Sequence, residues 1–254
     1  MKKQIITALS LGGALISLSE AAVFVPIAAT GWNQDIVVGA GETANTATSA
    51  TLDGVDVKGD TFYGVGYNTN AGDEATGLPT GLTASTSTSG SDTVTFQLQD
   101  FNENNAIFEG GTLTLATPSA FSQLAIIGTT SRGSAAMTIT VNYASGPAQI
   151  FETTGGINQD WFNATVGLTY IANGRVNATS GDFNNVNNNN PRLYQNILTL
   201  NNSSTVTSLV VTGADGGNGD ARNVIMAISG IAVPEPSAFL LSLAGFVCFL
   251  RRRR

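Results

Sequence analysis

The chain has no histidine and one cysteine in 254 residues. Without imidazole, Ser-His-Asp and Cys-His catalytic arrangements are excluded. Zinc sites built on histidine are excluded too, and a lone cysteine cannot replace the missing ligands. One cysteine also forbids an internal disulfide, so stability has to come from a packed core. Charged residues make up only 11% of the chain, and Lys58 is the only lysine between residues 22 and 232. Aromatic residues make up 7%, which is thin for the aromatic girdles of a membrane β-barrel. No segment between residues 22 and 232 keeps a 3.6-residue apolar period for three turns, which argues against helices as a main component.

What remains is rich in Thr, Val, Ile, Gly, Ser and Asn, with apolar and polar residues alternating. Val94, Phe96 and Leu98 share one face of a period-2 run. Met137, Ile139, Val141 and Tyr143 do the same, as do Leu113 and Leu115 within Thr112 to Leu115. Such runs predict strands with one buried face. Leu124 to Ile127, Leu209 to Val211 and Val224 to Ile228 are uniformly apolar and predict strands covered on both faces. Further strands are expected at Ile36 to Val38, Thr61 to Tyr67, Gln149 to Phe151 and Leu193 to Leu200. Turn signals separate them, among them Gly110-Gly111, Ser145-Gly146-Pro147 and Gly155-Gly156. Thr69 to Gly90 and Asn173 to Pro191 read as long loops.

The two ends differ from this body. Lys2 and Lys3 precede an apolar run from Ile5 to Leu18, and Ser19-Glu20-Ala21 places small residues where signal peptidase reads them. A signal peptide over 1–21, cut after Ala21, is the expectation. At the other end stands Val233-Pro234-Glu235-Pro236. The prolines fix their own φ angles and hold their neighbours extended. An uncharged run from Ser237 to Leu250 follows, then Arg251, Arg252, Arg253 and Arg254, which would hold that end in the cytoplasm. About fourteen helical residues reach roughly 21 Å, against a hydrocarbon core of about 30 Å. This is short for a permanent span and fits a temporary anchor. Cys248 lies in this run and reads as a small apolar residue.

The order of motif, apolar helix and basic end resembles the PEP-CTERM sorting signal. That resemblance implies recognition of Val233 to Pro236 by exosortase, a membrane transpeptidase. It also implies an inner-membrane intermediate, and delivery to the cell surface or an extracellular matrix of exopolysaccharide. The expected fold is all-β: a single antiparallel β-sandwich, jelly-roll-like, over residues 22–232. An N-terminal signal-peptide helix precedes it and a short C-terminal transmembrane helix follows within residues 233–254. The strands at Ser122 to Thr129, Met137 to Tyr143, Val206 to Thr212 and Asn223 to Ile231, with Asp160-Trp161-Phe162 between them, are similar to galactose-binding-like modules.

Removing Lys2, Lys3, Glu20, Glu235 and the four terminal arginines leaves 5 basic and 16 acidic side chains, a net charge of −11 for the body. Such a body repels phosphate backbones and anionic lipid surfaces, so nucleic acid is not an expected partner. Neutral sugars and cations stay compatible with it. Trp161, with Asp160 and Tyr194, is a candidate sugar platform, set against ordinary packing of large aromatics in a core. Asp215, Asn218 and Asp220 in a Gly-rich turn could offer oxygen ligands to calcium, set against a plain hairpin loop. No other cofactor is expected. Asp100 with Glu103, or Glu109 with Glu152, are the carboxylate pairs a glycoside hydrolase would need. Most of the acids stand beside loop-forming residues, so the expectation is a non-catalytic body, with a carbohydrate-binding module as the first alternative and a hydrolase as the second.

Overall fold

The computed structural model describes residues 23–53, 59–68, 77–85, 93–162, 165–184, 190–201, 203–213 and 221–233. Residues 1–21, where a signal peptide is expected, Lys58, and the tail from Pro234 onward, Cys248 included, lie outside them. In chain order the strands are β1 (Val25–Pro26), β2 (Ala29–Thr30), β3 (Val37–Val38), β4 (Asp60–Tyr63), β5 (Gly81–Ser85) and β6 (Thr93–Gln97). Then come β7 (Ile107–Phe108), β8 (Gly110–Ser119), β9 (Phe121–Ser131), β10 (Met137–Tyr143), β11 (Gln149–Glu152) and β12 (Leu168–Ile171). The last are β13 (Arg175–Asn177), β14 (Phe183–Asn184), β15 (Arg192–Thr199), β16 (Val206–Gly213) and β17 (Arg222–Ala232). Helical structure among the described residues is limited to the four-residue α1 (Ala44–Ala47) and a 3₁₀ turn at Gly156–Asn158. No helix among them is long and apolar enough to cross a membrane.

The fold is a jelly roll. One sheet runs β1-β17-β9-β15-β12, with β7 also on β17; the other runs β11-β10-β16-β8-β2. The eight strands β7 to β11 and β15 to β17 therefore lie in two four-stranded orders, β7-β17-β9-β15 and β8-β16-β10-β11. Except for β10 and β11, which form a hairpin, consecutive strands of this set pass from one sheet to the other. The first crossing, between β7 and β8, is a sharp corner. Glu109 has φ 58° and Gly110 φ 124° there, and glycine is the residue that takes such angles without strain.

Alternation sorts the side chains between the faces. Leu113 and Leu115 of β8, Met137, Ile139 and Val141 of β10, and Leu209 and Val211 of β16 point inward. They meet Leu124 and Ile126 of β9, Tyr194 and Leu198 of β15, and Ile225 and Ile228 of β17. Fully burying aliphatic side chains of this size stabilises by about 1.5–3 kcal/mol each. The interior can thus supply what disulfides would supply in a smaller exported domain.

The other face of the β9–β17 sheet is covered as well. Ala125 and Ile127, with Val224, Met226 and Ala227, pack under Phe24, Ile36, Phe62, Leu78, Val94 and Phe96. This third layer is made by the hairpin β5-β6 and by the small sheet β14-β13-β4-β3, whose β3–β4 pair is parallel. It explains why β9 and β17 are buried almost throughout. In β17 the register shifts between Ile225 and Ala227. Met226 is the extra residue of this bulge, and both Met226 and Ala227 face the third layer. Opposite it, a Cβ on Gly128 would sit 2.0 Å from the Val224 carbonyl oxygen, so only glycine fits.

Three sequence expectations are corrected by this layering. Leu209 to Val211 is not covered on both faces: it lies in the outer sheet, with Val210 only partly buried between Leu209 and Val211. The stretch 69–90 is not one loop, because β5 within it pairs with β6 along its length. The stretch 173–191 likewise carries β13 and β14. In both cases the strands are short, polar and Gly-flanked, so their alternation is hidden. β5 becomes a strand by pairing with β6, which packs on β17, and β13 and β14 by extending the β3–β4 sheet, with Val176 and Phe183 against Tyr63.

Candidate functional site

The sorting segment begins where β17, the last strand among the described residues, ends. β17 stops at Ala232, and the Val233 N–H donates to the Ala120 carbonyl at 2.9 Å. Ala232 lies opposite Phe121, at the start of β9. In the first strand, Val25 pairs with Gly230 and Pro26 with Ser229, antiparallel. The chain from residue 23 backward and the chain from residue 233 onward therefore leave from the same end of the sandwich. Val23 is 62% exposed and Val233 36%. Ser19, Ala21, Pro234, Glu235, Pro236 and Arg251 to Arg254 lie outside the described residues, as do Asp215, Asn218 and Asp220 of the calcium expectation.

Trp161, Asp160 and Tyr194 are brought together, but not as a platform. Trp161 is 0% exposed. Its ring meets Phe62 edge-on at 5.4 Å and Phe162 at 5.0 Å. A buried indole offers no face to a pyranose, so the platform reading is corrected to core packing beneath the third layer. Tyr194 is also fully buried, and its hydroxyl donates to the Asp160 carbonyl at 2.8 Å. The Asp160 carboxylate accepts from the backbone N–H of Gly133 at 2.6 Å and of Phe162 at 3.2 Å. It ties the β9–β10 turn to the Trp161 turn, with both oxygens engaged. Burial raises its pKa and these two bonds oppose the rise.

Arg175 of β13 fastens the third layer over this aromatic group. Its Nη1 lies 3.3 Å from Asp53 Oδ2 and its Nε 2.9 Å from Asp60 Oδ2. The second contact is an ion pair whose N–H is not aligned as a hydrogen bond. The guanidinium carbon stands 5.1 Å from the Phe162 ring centroid and 6.0 Å from that of Trp161, within cation–π range.

The carboxylates of the hydrolase expectation are exposed: Asp100, Glu103, Glu109 and Glu152. Asp100 accepts from the Asn102 backbone and side chain, and Glu109 lies 3.9 Å from Arg222. Among the described residues, the acid with the most perturbed environment is one that the sequence does not mark. Asp35 is 8% exposed. Its Oδ1 accepts from Asn105 Nδ2 at 2.5 Å and from the Val37 N–H at 3.4 Å. Burial pushes its pKa up to about 7, against the lowering effect of those bonds, and Glu42 and Asp100 add repulsion. No local signal marks it, because Asn105 is seventy residues away in sequence. Among the described residues no group of three or more acids is placed to hold a metal ion.

These features define a class: an all-β jelly roll whose last strand runs directly into a segment built for membrane sorting. Residues 232–254 match the PEP-CTERM protein-sorting motif. The chain thus carries an exosortase-type sorting signal, which implies export and a membrane-anchored intermediate. No curated protein matches the chain. The similarity to galactose-binding-like modules is carried by neither comparison.

Proposed function

We propose that this is a non-catalytic surface or matrix protein, delivered through its PEP-CTERM tail to a polysaccharide-rich exterior. The observation that supports it most is the coincidence of two boundaries. The last core strand ends at Ala232, and the sorting motif begins there. Cleavage beyond Val233 would leave every described core side chain in place and would spare the hydrogen bond to Ala120. Signal peptidase acts at Ala21, exosortase acts at the tetrapeptide, and the inner membrane holds the intermediate between the two cuts. A body charge of −11 keeps the released domain soluble and away from anionic surfaces. The absence of histidine and the exposure of Asp100, Glu103, Glu109 and Glu152 favour a non-catalytic role.

The test is mass spectrometry of both termini of the protein recovered from each cell fraction. The expected mature chain begins at Ala22 and ends near Pro234, outside the inner membrane. Replacing Val233 to Pro236 with alanines should leave an unprocessed form in the membrane. Unchanged delivery of that variant would overturn the sorting reading. Release of new reducing ends from neutral polysaccharide would overturn the non-catalytic one.

A further inference from the structure

The turn between β10 and β11 meets the crossing from β15 to β16 at the end of the sandwich from which the tail leaves. Register places them there: Tyr143 pairs with Val206, Val206 with Ser119, and Thr199 with Gln123. Between them lies a cleft of about 510 Å³, open on its outer side, lined by Tyr143, Ser145, Pro147, Gln149, Asn201 and Ser203 among others. None of its lining residues carries a charge, on a body that is otherwise strongly acidic.

Gln149 organises the cleft. Its Oε1 accepts from the Tyr143 hydroxyl at 3.0 Å and from the Asn201 N–H at 3.1 Å. Its Nε2 donates to the Thr199 carbonyl at 3.1 Å and to Asn201 Oδ1 at 3.0 Å. The amide is fully used, so Gln149 positions its neighbours and has nothing left for a ligand. Asn201 Nδ2 and the Ser203 hydroxyl have no partner among the described residues. The Tyr143 phenol oxygen keeps a lone pair, and burial raises its pKa further above neutrality. A neutral donor, a hydroxyl and a neutral acceptor beside an aromatic ring suit the adjacent hydroxyls and apolar C–H face of a sugar. An anionic sugar would meet no cation here.

We propose that this cleft is a binding subsite for an internal unit of a neutral polysaccharide. Asn201, Ser203 and Tyr143 contact the sugar, and Gln149 is the positioning residue. The proposal deepens the matrix reading and rests on it only for the polymer met in the cell. The binding itself does not depend on sorting.

The test is native affinity electrophoresis of the full chain in a non-ionic, sugar-free detergent. The gels contain dextran, galactomannan or xyloglucan, with alginate as the anionic comparison. Retardation by at least one neutral polymer and none by alginate is expected. Asn201→Ala should weaken it at least roughly three- to tenfold, through the loss of one neutral hydrogen bond to the sugar and of the Gln149 contact that orders the cleft. Ser203→Arg should abolish it by filling the opening. Both positions are exposed and the only bond lost with the Asn201 side chain among the described residues is the exposed one to Gln149, so unfolding midpoints should move little. No retardation by any neutral polymer, preference for alginate, or full retardation in both variants would each overturn the subsite. A protein that is sorted as expected but fails here loses the subsite alone. One that binds but is not processed loses the sorting reading alone.

Discussion

Asp35→Asn should change how stability depends on pH. In the folded protein the Asp35 carboxyl is pushed up to about 7 by burial, from an ordinary value of 3.8. Between those values the folded chain holds a proton that the unfolded chain releases. Stability therefore falls as pH rises through this window, and it levels off above pH 7 once the buried group is charged in both states. Each tenfold difference in proton affinity between the folded and unfolded chains is worth about 1.36 kcal/mol. Between about pH 4.5 and pH 8 this group alone should remove about 3 kcal/mol of stability. Asparagine keeps one oxygen to accept from Asn105 and Val37, has no charge to bury, and removes the repulsion from Glu42 and Asp100. The assay is urea unfolding of the full chain in detergent at a series of pH values. The wild type should lose stability across this range relative to the variant, and the variant should be the more stable at the alkaline end. Parallel curves for the two proteins would refute the reasoning, and so would a variant weaker than wild type at that end.

Two further substitutions probe the third layer. Trp161→Ala should cost about 3–5 kcal/mol, as large-to-small changes of buried aromatics do, read as a lower urea midpoint. Polysaccharide retardation of the folded fraction should be unaffected, whereas an indole acting as a sugar platform would take binding with it. Arg175→Met should cost about 2–3 kcal/mol, because Asp60 and the more exposed Asp53 lose their cation in a partly buried setting. A loss below about 0.5 kcal/mol would place this ion pair with ordinary surface pairs.

The local sequence was enough for the parts of this protein whose cause is local. Val94-Phe96-Leu98 and Met137-Ile139-Val141 declared their buried faces because alternation is a property of the strand itself. The tail declared itself because a proline-rich tetrapeptide, an apolar run and four arginines are legible in sequence order. The uniform runs at Leu124 to Ile127 and Val224 to Ile228 said that both faces were covered, though not by what. Only the tertiary structure decided that cover, because β5, β13 and β14 have little apolar alternation: β5 becomes a strand by pairing with β6 over the central sheet, and β13 and β14 by extending the small sheet, with Val176 and Phe183 against Tyr63. It also decided the fate of Trp161, since an aromatic residue reads the same in sequence whether it faces solvent or Phe62. Asp35 with Asn105, and Tyr143 and Gln149 with Asn201, are pairings across tens of residues. They exist because strand register carries distant segments to one place, and register is a property of the assembled sheets.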